Sequence, residues 1–183
     1  MQRQLIQSAF LLIGLVLTLS ACFNEPDYSE TPAISFKSVV PYTIEAGGGV
    51  GQGRRDSVVV TISFQDGDGD LGEDINDTTR IRRMFADETW GNYELKTFQL
   101  INGRFVELNL SANNKLYFPR LTREGQKGAI EGTLDFSQKF FYQTGQSGFR
   151  IVPLKFQIRV RDRAFNVSNV IETDTVRVPV GNR

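Results

Sequence analysis

An antiparallel β-sandwich is the fold class this sequence predicts. Three observations point there. Apolar and polar residues alternate with a period of two along several short stretches. Turn-forming residues separate those stretches. No long apolar run has helical spacing; at most, short helical turns fit between Thr78 and Asp87.

Residues 57–65 put Val58, Val60, Ile62 and Phe64 on one face, and Ser57, Thr61, Ser63 and Gln65 on the other with Val59. Residues 154–161 alternate without a break: Leu154, Phe156, Ile158 and Val160 oppose Lys155, Gln157, Arg159 and Arg161. This is the pattern of an antiparallel strand with one face buried. Ile34 and Phe36 mark an earlier strand, and Ile130, Leu134 and Phe136 another. Val176, Val178 and Val180 share a face near the end, whereas Ile171 and Thr173 have the opposite parity, which predicts a bulge near Asp174. Residues 93–100 and 105–110 flank Ile101-Asn102-Gly103-Arg104. Asn-Gly tolerates positive φ at both positions, so this is a hairpin signal. A short strand is expected at 116–118, stopped by Pro119. The glycine-rich stretch 47–53 reads as a flexible loop between the first two strands. About eight such strands predict an immunoglobulin-like sandwich over 33–183. The Cys…Trp…Cys signature of antibody domains is missing. An up-and-down barrel is the structural alternative.

Composition narrows the function. The chain has 183 residues, with 21 basic and 21 acidic side chains, no histidine, one cysteine and one tryptophan. Zero net charge argues against a nucleic-acid partner, which requires a basic face. Without histidine there is no Ser-His-Asp triad, no Cys-His pair and no facial-triad iron site. One cysteine excludes an internal disulfide and a thiolate cluster.

The first 21 residues read as a lipoprotein signal peptide. Arg3 precedes the apolar run 9–19, whose eleven residues rise only about 16 Å as a helix, too short to span a bilayer core of about 30 Å. Leu19-Ser20-Ala21-Cys22 resembles the bacterial lipobox. That resemblance implies a diacylglycerol on the Cys22 thiol, cleavage before Cys22 and acylation of the new amine. A chain held by two or more acyl groups stays on its membrane. Residues 22–32 then form a flexible tether, polar, acidic and holding two prolines. Its acids loosely resemble the surface-export signal of Bacteroidota lipoproteins, and a solvated linker explains them equally.

One constellation carries chemistry. Asp66-Gly67-Asp68-Gly69-Asp70-Leu71-Gly72-Glu73-Asp74 packs five acids and three glycines into nine residues. Such a loop can aim hard carboxylate oxygens at one point, as Ca²⁺ requires. It begins like an EF-hand loop but has Leu71 where that loop has its glycine and Asp77 where it has its last glutamate. Parity adds a second acidic turn. Asp66 continues the Val58…Phe64 face and Asp162 the Leu154…Val160 face. If these strands run the same way in opposed sheets, both aspartates reach the same end of the sandwich. Asn166 and Asn169 offer neutral oxygens nearby. Asp66, Asp68, Asp70, Asp74, Asp162 and Asn166 are therefore the expected calcium ligands. Solvated Asp-Gly turns explain the same residues without a metal, and a catalytic carboxylate pair would require a cleft.

The lipobox, the acidic tether, the strand ending in Phe64-Gln65-Asp66-Gly67-Asp68-Gly69-Asp70-Leu71-Gly72 and the turn at 162–169 together resemble Bacteroidota outer-membrane lipoproteins with an immunoglobulin-like domain. The resemblance implies a lipid anchor in the outer membrane and a β-sandwich, and no ligand. The expected function is that of a non-enzymatic, lipid-anchored cell-envelope protein, facing the cell surface rather than the periplasm, with a structural calcium. The alternative is a glycan- or protein-binding accessory lipoprotein that uses exposed aromatics at Trp90 and Tyr93; a core role for Trp90 is the plainer reading. Asp56-Ser57, Asp77-Thr78 and Asp174-Thr175 resemble the Bacteroidota O-glycosylation signal, with Thr78 best placed in a loop. Arg80, Arg82 and Arg83 read as a solvated face or a neutraliser of the acidic loop.

Overall fold

The computed structural model describes residues 26–50, 52–109, 115–142 and 148–181. The signal peptide and Cys22 lie outside the described residues. The elements are β1 (Ala33–Ile44), β2 (Arg55–Asp66), α1 (Thr78–Met84), β3 (Tyr93–Ile101), β4 (Arg104–Glu107), β5 (Ile130–Phe141), β6 (Phe149–Val160), β7 (Ile171–Glu172) and β8 (Val176–Gly181). One sheet has the order β1-β2-β5; the other has β4-β3-β6-β7, with β8 also paired to β6. All pairings between these strands are antiparallel. The fold is an all-β, immunoglobulin-like sandwich.

The alternation in β2 and β6 builds the core. Val58, Val60 and Ile62 from β2 meet Leu154, Phe156, Ile158 and Val160 from β6, all essentially inaccessible to solvent. Each such side chain contributes about 1.5–3 kcal/mol relative to leaving it exposed. Phe136 and Phe140 of β5 and Val176 and Val178 of β8 complete the layer. Asn102 and Gly103 both have positive φ, and Ile101 pairs with Arg104 across them, so the expected hairpin turn is present.

Two local expectations are corrected, and one irregularity is new. Residues 171–181 are not one bulged strand. β7 and β8 are separate, and at the break Thr173 stands in for a strand residue: its N–H donates to Phe156 O while its Oγ1 accepts from Phe156 N, each at 3.0 Å. Residues 116–118 form no strand. Leu116 and Pro119 make isolated bridges, and the Asn92 side chain takes the partner's place by bonding both the N–H and the C=O of Phe118 at 2.9 Å. Register in β1 shifts between Phe36 and Ser38, leaving Lys37 unpaired.

The strand directions define two ends. Asp66 lies opposite Ile130, and β6 reaches Val160 beside Tyr93, at what we call the acidic end. Arg55 lies opposite Phe141 and Ile44, and the Asn102-Gly103 turn closes the same, far end. Part of the expected tether is packed at the acidic end: Ser29 O accepts from Gly67 N at 2.9 Å, and Tyr28 donates to Glu131 Oε2 at 2.6 Å.

Candidate metal centre

Asp66 ends β2 on its inward face and is 0% exposed. The chain then turns sharply. Asp66 Oδ2 accepts from Asp70 N at 2.9 Å, which folds the loop back over the strand end. Thr122 donates to Gly69 O at 2.9 Å, and Leu121 N donates to Leu71 O at 3.3 Å, so segment 116–129 holds the loop from outside. Gly72 has φ +82, and a Cβ there would sit 2.1 Å from Pro119 O. Glycine is required at that position for both reasons.

This turn gathers the acids. One carboxylate oxygen from each of Asp66, Asp68 and Asp70 lies within 4.8 Å of the other two. Oxygens bound to one Ca²⁺ at about 2.3–2.6 Å span at most about 5 Å, so the spacing fits that ion. The Oδ1 atoms of Asp66, Asp68 and Asp70 are buried and accept no hydrogen bond. An ionised carboxylate left this way is costly. The protonation equilibria reflect it. Burial raises the Asp66 carboxyl to about 7, and the charges of Asp68 and Asp70 push the same way. Burial, then the charges of Asp162 and Asp68, raise Asp70 to about 6, against the pull of Arg163. A cation among these oxygens would reverse the cost, because it favours the ionised forms.

Asp162 arrives from the opposite sheet. It bridges Leu71 and adds its charge to those acting on Asp66 and Asp70. Burial also raises its own carboxyl, against the bonds from Asn166. Asn166 N and Nδ2 donate to its two oxygens, each at 2.8 Å. Asn166 thus serves as a donor to Asp162. Asn169 clamps the start of β1, its Oδ1 accepting from Ile34 N and its Nδ2 donating to Ile34 O. Asp74 does not join the cluster formed by Asp66, Asp68 and Asp70. It is exposed, and its Oδ1 caps a turn by accepting from Asn76 N at 3.0 Å.

Glu73, read in the sequence only as one of five acids, is 1% exposed. Its Oε1 accepts from Arg120 Nη2 at 3.2 Å and from Asp74 N at 2.9 Å, and faces Arg80 Nε at 3.4 Å. Arg80 therefore neutralises a neighbour, while Arg82 and Arg83 close the last turn of α1. Asp77 caps that helix through Arg80 N, and Thr78 after it is exposed.

The expected aromatic platform is not presented to solvent. Trp90 is 6% exposed, and Tyr93 packs on Phe136 and Phe118. Trp90 is covered by Arg161, whose guanidinium lies 4.1 Å from the Trp90 ring, 4.9 Å from Phe165 and 5.0 Å from Phe85. Arg161 also donates to Gly91 O, Trp90 O and Glu88 Oε2. Parity placed Arg161 on the solvent side of β6, so periodicity alone missed it. The signal was the crowding of Phe85, Trp90 and Phe165 in the connections beside that strand end.

Neither a protein-family model nor a curated protein sequence matches this chain. Among solved structures, a Niemann-Pick type C2 protein from the Japanese carpenter ant is similar over 88% of this chain and 100% of that one, at 12% identity and a TM-score of 0.32. A likeness of that size carries no functional argument.

Proposed function

We propose that this chain is a lipid-anchored, non-enzymatic protein of the bacterial outer membrane, and that a calcium ion stiffens the acidic end of its sandwich. The observation that carries the calcium reading is the trio of buried, unbonded Oδ1 atoms on Asp66, Asp68 and Asp70. The lipobox at Leu19-Ser20-Ala21-Cys22 supports the anchor. The ion's role is to lock the loop after β2 in its folded-back turn, beside Asp162 of the opposed sheet, whose negative charge adds to that of the loop. The acids are tied into turns and backbone bonds, which suits a strut better than a reaction centre.

Thermal unfolding of residues 23–183 with Ca²⁺ and with chelator tests this. An ion that binds only the folded state adds about 2.7 kcal/mol at a hundred times its Kd. The midpoint should rise by several degrees, and the rise should vanish in Asp68→Asn/Asp70→Asn. An unchanged midpoint at millimolar Ca²⁺ would make the loop a solvated turn.

A further inference from the structure

We propose that the acidic end of the sandwich is turned toward a lipid surface and the far end away from it, an orientation that rests on the lipid-anchor reading of Cys22. Two observations fix where the anchored segment joins the domain. Gly67, between two of the loop aspartates, donates its N–H to Ser29 O at 2.9 Å. A Cβ on Gly67 would sit 2.3 Å from Tyr28 O, so the segment lies directly on the loop. Tyr28 is tied further to Glu131 beside the start of β5. From Tyr28 onward the chain is therefore part of the acidic end.

Length then decides the orientation. The six residue-to-residue steps from Cys22 to Tyr28 reach at most about 21 Å when fully extended. The twelve residues of β2 run about 40 Å from one end of the sandwich to the other. A lipid on Cys22 cannot reach the far end. Ile75 and Val167 are exposed at the acidic end and can meet a lipid interface. Exposed Arg123 and Lys127 are offset there by exposed Asp27, Glu30, Asp74, Asp77 and Glu124, so length rather than charge sets the orientation.

The test uses the full lipidated chain in vesicles of phosphatidylethanolamine and phosphatidylglycerol that carry an acceptor dye on the headgroups. Donor dyes enter singly through Lys127→Cys at the acidic end and Gly48→Cys at the far end. Both positions are exposed, and a Cβ at Gly48 meets nothing within 4 Å. Energy transfer from position 127 should exceed that from position 48 by roughly twofold or more, because about 40 Å separates the ends. Equal transfer from vesicle-bound protein, or more from position 48, overturns the orientation and leaves the anchor standing. If the wild-type chain fails to float with the vesicles, as Cys22→Ser should, the anchor reading falls and the orientation falls with it.

Discussion

Asn166 holds both carboxylate oxygens of Asp162, through its backbone N–H and its side-chain amide, each at 2.8 Å. Asp162 therefore reaches the loop carboxylates through its charge while its oxygens are occupied. Asn166→Ala removes one charge-assisted bond and should cost about 1.5–3 kcal/mol in urea unfolding. The calcium-induced rise in midpoint should survive. Its loss would mean that Asp162 and Asn166 coordinate the ion directly.

Asp66→Asn separates metal binding from stability. At about pH 8 the wild-type carboxylate is buried, ionised and short of one partner. The neutral amide should stabilise the chelated protein by about 1–3 kcal/mol, the range for relieving one unsatisfied buried group. The same variant should lose the calcium response. A destabilised variant that still responds to calcium would contradict both expectations.

The metal-free protein should become less stable as pH rises from about 4 to about 7. In the fold, Asp66 holds its proton up to about 7 and Asp70 up to about 6, against 3.8 for an ordinary aspartate. Their protons thus bind the folded chain more tightly than the unfolded one. The resulting stability is complete below the ordinary value and is lost as pH climbs through the raised ones. Glu172, held lower by Lys155 and Gln157, acts in the opposite sense but in a more acidic window. Saturating calcium, which prefers the ionised carboxylates, should flatten the slope. Midpoints measured in chelator and in calcium across this range check it.

Arg161 is 3% exposed and binds two backbone carbonyls as well as Glu88. Arg161→Ala should cost about 3 kcal/mol or more, since it opens a void and strands those acceptors. Arg161→Lys should recover little, because an ammonium cannot fork to three acceptors and lie flat on the Trp90 ring. Acrylamide quenching of Trp90, the single tryptophan, gives an independent readout. Quenching should be weak in the wild type and several-fold stronger in Arg161→Ala.

Two glycines at positive φ distinguish strain from collision. Gly103 has φ +78 with nothing within 4 Å of a new Cβ, so Gly103→Ala should cost about 1–2 kcal/mol. Gly72→Ala adds a 2.1 Å approach to Pro119 O and should cost clearly more. It should also weaken calcium binding, because the segment that holds the acidic loop would be pushed away. Equal costs would show that Pro119 yields freely.

Much of the sandwich was legible because burial on one face writes itself as alternation. Val58 through Phe64 and Leu154 through Val160 lie where their parity placed them. The meeting of Asp66 and Asp162 followed from the same parity carried past the strand ends. The strand at 116–118 and the bulge near Asp174 failed for a common reason. Asn92 and Thr173 satisfy neighbouring backbone groups with side chains, so pairing ends where apolar spacing alone would continue it. Asp74 stands apart from the Asp66, Asp68 and Asp70 cluster because a local turn captures its carboxylate. Burial of Arg161 and Glu73 depends on segments distant in sequence, and no local pattern encodes it.

The break at Thr173 also bears on how copies of this protein avoid one another. A long, regular outer strand is a template for pairing with a second chain. Among the described residues, the larger sheet presents the four residues of β4 on one side and the short β7 and β8 on the other, with Pro179 inside β8. The smaller sheet has two twelve-residue borders, but β1 carries the irregularity at Lys37 and Pro41, and β5 carries Glu131, Asp135 and Lys139 along its outward face. These interruptions and charges oppose edge-to-edge polymerisation, so the irregularities that obscured the strand pattern also disfavour pairing between folded chains.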